Sequence, residues 1–280
     1  MLVTNSLSEL RKILPSLGGT FGLVPTMGAL HDGHASLIRR ATGECDHAGV
    51  SIFVNPMQFG SGEDLEKYPR TIENDLALLE RLGVTLVFTP GTDRMYPSGY
   101  QTWITVENVT APLEGEWRPG HFRGVVTVVA KLFNAFQPDR AYFGQKDAQQ
   151  AVVIRRMVKD LNFPVEIVVC PTVRESDGLA LSSRNAYLDP EERKAATVLY
   201  RALVSAKNSY EKGEKDGAAL RSVMQSVIES EPLAVAEYIS AADPETLLEL
   251  QQIVPENGAL ISMAVRIGKT RLIDNLLLSP

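Results

Sequence analysis

Two cysteines in 280 residues, Cys45 and Cys170, are too few for a disulfide framework, and neither belongs to a Cys-x-x-Cys pair. Both read as buried free thiols, so a thiolate zinc site has no support. A basic surplus is also missing. Lys and Arg number 28 against 34 Asp and Glu, a net charge of −6, and a nucleic-acid binder needs a cationic surface to neutralise phosphates. No apolar run approaches the roughly 20 residues that span a bilayer. Residues Met1 to Arg11 lack the basic-then-apolar order of a signal peptide. The expectation is a cytoplasmic protein that partners neither nucleic acid nor membrane. Internal repeats and low-complexity tracts are absent. Histidine is scarce, four in the chain, which gives weight to two that fall in a single turn.

What is present is alternation. Phe21 to Pro25 reads as a short buried strand, followed by a Gly-containing turn and a helix from about Gly33 to Ala41. Val50 to Val54 is a second strand. Ile72, Leu76, Leu79 and Leu82 recur at helical spacing, with Gly83 as the stop. Val84 to Phe88, Ala141 to Phe143 and Val165 to Val169 complete the strands, with helices expected over Gly124 to Phe136 and Ala148 to Leu161. This rhythm predicts an α/β fold, a doubly wound parallel sheet of Rossmann-like type, whose ligands bind beyond the carboxyl ends of the strands. The second half differs. Asp189-Pro-Glu-Glu192 starts a helix expected to reach Tyr210, another helix runs from Ala218 to Ser230, and strands follow at Ala236 to Ser240, Ala259 to Val265 and Thr270 to Asp274. A boundary near Arg174 is expected, with residues 1–174 forming the Rossmann-like domain and 175–280 a smaller α+β lid.

Five clusters carry side chains suited to chemistry. The first, Pro25-Thr-Met-Gly-Ala-Leu-His31-Asp-Gly-His34, joins a strand to a helix. Gly28 permits a tight turn and Gly33 a close approach. A helix N-terminus offers N–H groups and a positive dipole to phosphate, and two imidazoles there can donate to a phosphate chain. A zinc pair or two surface histidines is the alternative, and no third ligand lies nearby in the sequence. His-x-Gly-His after a strand is a signature of the nucleotidyltransferase superfamily, which includes class I aminoacyl-tRNA synthetases. The second cluster, Phe53-Val-Asn55-Pro-Met-Gln58-Phe59, offers neutral amides for a substrate bearing hydroxyls and a carboxylate, or merely caps a turn.

The third, Arg118-Pro-Gly-His121-Phe-Arg123, can hold an anion or be an ordinary basic loop, and Lys131 further along is expected on the outer helix face. The fourth, Phe143-Gly144-Gln145-Lys146-Asp147-Ala-Gln149-Gln150, again follows a strand. Lys146 suits phosphate, Asp147 can cap the helix or position a magnesium-bound phosphate, and Gln150 lies near the first helical turn. In the fifth, Arg174 to Asn185, the hydroxyls of Ser182 and Ser183 and the guanidinium of Arg184 can grip a pyrophosphate, unless the segment is a polar linker.

Taken together, PTMGALHDGH, FVNPMQF, EDLEKYPRT, RPGHFRGV, FGQKDAQQ, GLALSSRN and the late GKTRLIDN resemble the pantothenate synthetase family, in order and across nearly the whole chain. Glu116-Trp117 and Gly60-Ser-Gly62 depart from its usual pattern. The resemblance implies a ligase that uses ATP with Mg²⁺, adenylates pantoate, and passes the pantoyl group to β-alanine with release of pyrophosphate and AMP. It implies catalytic roles for His34 (a general acid), His31 and Lys146. ATP contacts are implied for Met27, Gly28, Ala29, Leu30, His31, Asp32, Gly33, His34, Gly144, Gln145, Lys146, Asp147, Val173, Leu181, Ser182, Ser183 and Arg184. Gln58 and Gln150 are implied for pantoate and Gln58 for β-alanine, with Asn55, His121 and Arg123 as site neighbours and a homodimer as the assembly. On the histidine motif alone, a nucleotidyltransferase acting on a phosphate ester, a synthetase remnant and a nucleotide sensor stay open.

Overall fold

The computed structural model describes residues 1–279. In chain order the elements are β1 (Leu2–Thr4), α1 (Leu7–Leu17), β2 (Phe21–Thr26), α2 (Asp32–Glu44), β3 (His47–Ile52), α3 (Ile72–Arg81), β4 (Leu86–Phe88) and α4 (Thr92–Met95). Then come α5 (Glu114–Trp117), α6 (His121–Phe136), β5 (Arg140–Gly144), α7 (Ala148–Asp160) and β6 (Glu166–Cys170). The last part holds α8 (Pro190–Ala195), α9 (Val198–Glu211), α10 (Gly217–Glu229), β7 (Ala234–Ala242), β8 (Ala259–Ile267) and β9 (Thr270–Leu278). Short 3₁₀ turns occupy Pro56–Gln58, Gln145–Asp147 and Ser183–Tyr187.

Two compact units form, and neither is contiguous in sequence. The first contains Met1–Glu107, Trp117–Gly144 and Val153–Pro171, and the second Asn108–Glu116, Gln145–Val152 and Thr172–Pro280. In the first, six parallel strands lie in the order β1-β4-β3-β2-β5-β6. The order reverses at β2 and β5, the switch point at which doubly wound sheets bind ligands. Strand β2 is buried along nearly its whole length because both faces of the sheet are covered, as a parallel sheet requires. Helix α2 turns Ala35, Leu37, Ile38 and Ala41 inward against Val24, Val50 and Tyr142. Helix α3 ends where expected, with Gly83 at φ +75°.

The second unit carries the antiparallel sheet β7-β8-β9 with α9 and α10 packed on it around Leu199, Leu203, Met224, Ile261 and Met263. The helix expected from Asp189 to Tyr210 is divided into α8 and α9. At the division the Thr197 hydroxyl donates to the Lys194 carbonyl at 2.8 Å, a local bond that competes with the helical ladder. Helix α1, with Pro15 inside it, carries no expectation from the sequence reading. No described helix is long and apolar enough to cross a membrane.

Candidate active site

In the first unit, the chain leaves β2 through a turn that it could not hold unaided. Gly28 and Ala29 both lie at positive φ, +81° and +50°, and the second is a conformation that a side chain disfavours. A carboxylate from α3 holds them there. Asp75, only 3% exposed, accepts from the Ala29 and Leu30 amides at 2.9 Å each and from the Thr71 hydroxyl at 3.1 Å. A Cβ at position 28 would approach Asp75 Oδ2 to 3.0 Å, so glycine there also makes room for the anchor. The Gly28 amide donates to Thr26 Oγ1 at 3.2 Å, and that hydroxyl donates to the Ser51 carbonyl on β3.

The two histidines cap α2 reciprocally. His31 Nδ1 accepts from the Gly33 amide at 3.1 Å, and His34 Nδ1 accepts from the His31 amide at 3.4 Å. Their ring centroids are 4.2 Å apart. A ring nitrogen that accepts carries no proton, so each neutral imidazole bears its hydrogen on Nε2. The donor of each ring is therefore Nε2. The expectation of free backbone amides in this turn is narrowed, because those of Gly28, Ala29, Leu30, His31 and Gly33 already have acceptors. An anion here would meet imidazoles more than main chain.

After β3, Asn55 is 1% exposed and uses its whole amide. Its oxygen accepts from the Met57 amide at 3.3 Å and the Tyr96 hydroxyl at 2.9 Å. Its nitrogen therefore donates, to the Gly124 carbonyl at 3.2 Å and to Gln58 Oε1 at 3.1 Å. That orients Gln58, whose Nε2 faces Met27 Sδ at 3.1 Å, a weak acceptor. Gln58 thus presents N–H toward Met27, a group suited to carboxylate or hydroxyl oxygens. Burial raises the pKa of Tyr96 and keeps it a phenol, able to donate. Helix α6 comes so close to this loop that a Cβ at Gly124 would collide with the Met57 carbonyl.

The third cluster divides. Arg118 clasps Glu63 through two bonds, at 2.9 and 2.7 Å, and reaches His121 Nε2 at 3.2 Å. His121 Nδ1 lies 2.8 Å from the Gln58 carbonyl, to which it donates. Burial pushes the Glu63 carboxyl up, but the Arg118 bonds and charge outweigh it and hold the group below its ordinary range. These residues brace the loop that carries Gln58. Arg123 instead stacks on Trp103 at 4.6 Å, with Tyr96 next in the stack. Lys131, expected on the outer face, lies over the rings of Tyr100 and Tyr96 at 4.7 and 5.7 Å, and burial lowers its pKa.

In the second unit, the turn Gln145–Asp147 follows Gly144, the last residue of β5. Lys146 Nζ is 3.5 Å from Asp147 Oδ1. Gln149 and Gln150 have separate surroundings. Gln149 is 6% exposed and holds the 109–114 segment, donating to the Val109 and Pro112 carbonyls and accepting from the Glu114 amide at 3.0 Å. Gln150 is turned about 100° further round the helix and is half-buried. The Val173 carbonyl accepts from the Leu181 amide at 3.0 Å, closing a hairpin bridged at Arg174 and Ala180. Ser182 then caps the next turn by accepting from the Arg184 amide at 3.3 Å, with Ser183 and Arg184 inside that turn.

The chain that builds these turns has relatives. A family model described as pantoate-β-alanine ligase matches residues 2–277. The chain belongs to the pantoate–β-alanine ligase family. The pantothenate synthetase of Roseiflexus sp. (strain RS-1) is 60% identical over 278 residues, 99% of each chain. The crystal structure of pantothenate synthetase from Thermus thermophilus is similar with a TM-score of 0.96 at 50% identity, covering 100% of both chains. A Francisella tularensis pantoate-β-alanine ligase, complexed with beta-gamma ATP and β-alanine, is similar with a TM-score of 0.82 at 37% identity, covering 99% of this chain and 97% of that one.

Some residues that shape this ligase's turns escaped the sequence reading. Asp75 is one. Its signal was available, since it sits four residues before Leu79 and so on the inward face of α3, where a lone carboxylate needs partners. Glu63 and Asn275 fall inside the motifs EDLEKYPRT and GKTRLIDN, which give them no role, and Tyr96 left no signal.

Proposed function

We propose that the chain condenses pantoate with β-alanine in two steps through pantoyl adenylate. In the first, a pantoate carboxylate oxygen attacks the α-phosphorus of Mg–ATP, the bond to the bridging oxygen breaks, and pyrophosphate leaves. In the second, the unprotonated amine of β-alanine attacks the acyl carbon and the acyl–oxygen bond to AMP breaks, leaving pantothenate and AMP. Adenylation turns a poor acyl donor into one with a good leaving group, and the protein's part is mostly positioning and charge stabilisation.

The observation that carries this reading is the reciprocal His31–His34 cap, which holds both imidazoles at the start of α2 with the proton on Nε2. His34 acts as general acid and His31 as a phosphate donor. Met27 to His34 line the ATP, with Ala29 and Leu30 contributing groups other than the amides held by Asp75. Gly144 to Asp147 contact ATP, with Lys146 on phosphate. Val173 serves the adenine, and Leu181 to Arg184 the phosphates. Gln58 and Gln150 hold pantoate, and Gln58 borders β-alanine. Asn55 and His121 support Gln58, while Arg123 lies at the margin. The beta-gamma ATP and β-alanine in the Francisella relative support the substrate set. The chain works as a cytoplasmic homodimer.

ATP–pyrophosphate exchange with a panel of small acids and no amine tests the reading. Exchange that depends on pantoate is expected. Exchange that demands a phosphate ester, or none with any acid, overturns it.

A further inference from the structure

Resting on the phosphate role just proposed for Lys146 and for Ser182 to Arg184, we infer that Asp274 and Asn275 form a joint that positions these two segments against one another. Both residues lie on β9, 2% and 4% exposed, opposite Met263 and Ser262 of β8. Adjacent strand residues point to opposite faces, so the pair reaches two different pieces of chain from one point.

Asn275 takes the Lys146 turn. Its Nδ2 donates to the Gln145 carbonyl at 3.0 Å and to the Lys146 carbonyl at 2.8 Å, while its Oδ1 accepts from Gln145 Nε2 at 3.0 Å. One buried amide thus satisfies two consecutive carbonyls, and the Lys146 main chain is fixed at its own residue. Asp274 takes the hairpin that leads into Ser182. It receives two bonds from Arg174, at 2.6 and 2.9 Å, and the same guanidinium donates to the Gly178 carbonyl at 3.0 Å. The Arg174 guanidinium also reaches the Asn275 carbonyl at 3.3 Å and covers the Tyr200 ring at 4.6 Å. The Asn275 amide donates to Asp274 Oδ1 at 2.8 Å, so the two arms share an atom.

A carboxylate paired with arginine and a carboxamide bonded to two carbonyls are costly things to bury unless the geometry they fix is needed. Here the geometry is the spacing between an ammonium and a hydroxyl-rich turn. Asp274 and Asn275 are positioning residues that act through those groups.

The test uses the full-length chain with Asn275→Asp, Asn275→Ala and Asp274→Asn. Asn275→Asp keeps the size and an acceptor for Gln145 but cannot donate to the two carbonyls. Amide hydrogen exchange is expected to quicken at 145–148 in both Asn275 variants, and at 173–181 in Asp274→Asn, while β7 to β9 stay protected. Pantoate-dependent ATP–pyrophosphate exchange should fall about 10²-fold in Asn275→Ala, since a small misplacement of a charge-stabilising group costs that much. Lys146→Ala/Asn275→Ala should then be no slower than Lys146→Ala alone. Losses that multiply, normal turnover in Asn275→Ala, or loosening spread evenly over the second unit would overturn the joint. A wild type without pantoate-dependent exchange would instead sink the adenylation reading, and hydrogen exchange would still decide whether Asn275 fastens the turn.

Discussion

In the first unit the turn after β2 is fastened by a carboxylate, whereas in the second the turn at Gln145–Asp147 is fastened by a carboxamide. Asp75 accepts N–H groups from Ala29 and Leu30, and Asn275 donates N–H groups to the Gln145 and Lys146 carbonyls. Each anchor lies far along the sequence from its turn and is almost wholly buried. The difference sets what each turn can offer an anion. Asp75 takes two amides of its turn, which narrows the main-chain donors there. Where Asn275 covers carbonyls, a negative surface is masked beside a lysine. The first device holds the turn's shape at the cost of two amide donors, and the second covers two carbonyl acceptors.

Several substitutions would break or sharpen this contrast. Asp75→Ala should have the largest effect, because it leaves two half-buried amides and a positive-φ alanine without support. A loss of roughly 3 kcal/mol in urea-induced unfolding is expected, and a variant as stable as the parent would remove Asp75 from the account. His34→Ala and Lys146→Ala should each slow adenylate formation by about 10²-fold or more while leaving the fold intact. Near-normal single-turnover rates in either would show that its turn does not face the reacting phosphates.

The adjacent glutamines provide a contrast in miniature. Gln149→Ala is expected to destabilise the fold, since its amide holds three main-chain groups. Gln150→Ala should keep stability and weaken pantoate by roughly 1–3 kcal/mol, more than it weakens ATP. Calorimetry with each ligand separates these outcomes, and equal weakening of both would contradict the assignment. The smallest effect concerns Glu63. Its carboxyl titrates below its ordinary value in the folded chain, so its contribution to stability is complete above about pH 4.3 and fades as pH falls through the folded value. Stability curves of Glu63→Gln and the parent should differ at pH 7 and converge as pH falls through the folded value. A constant gap would mean that the Arg118 pair is not what Glu63 contributes.

Much of this was legible in the sequence because it is periodic or local. The strands of the parallel sheet other than β1 are apolar runs, Gly83 marks the end of α3, and His31, His34 and Lys146 stand just after strands. Asp189 caps its helix as its position suggests. What stayed hidden depends on partners far away in the chain. Nothing near Asn275 indicates that it faces a turn some 130 residues earlier. The grouping of Asn108–Glu116 and Gln145–Val152 with the later chain also rests on such partners, and composition does not change at their ends. Gln149 and Gln150 look alike in sequence, and only the helix angle between them separates a structural amide from a candidate binding one. Lys131 was placed outward by helical phase alone, which could not foresee Tyr96 and Tyr100 beneath it.

The most direct measurement is a rapid-quench single turnover of the wild-type chain with Mg–ATP and pantoate, in the absence of β-alanine. The account predicts a burst of pyrophosphate and of pantoyl adenylate near one equivalent per active site, with β-alanine then converting the adenylate to pantothenate and AMP. Pyrophosphate that appears only after β-alanine is added, with no acyl adenylate in the quench, would contradict it.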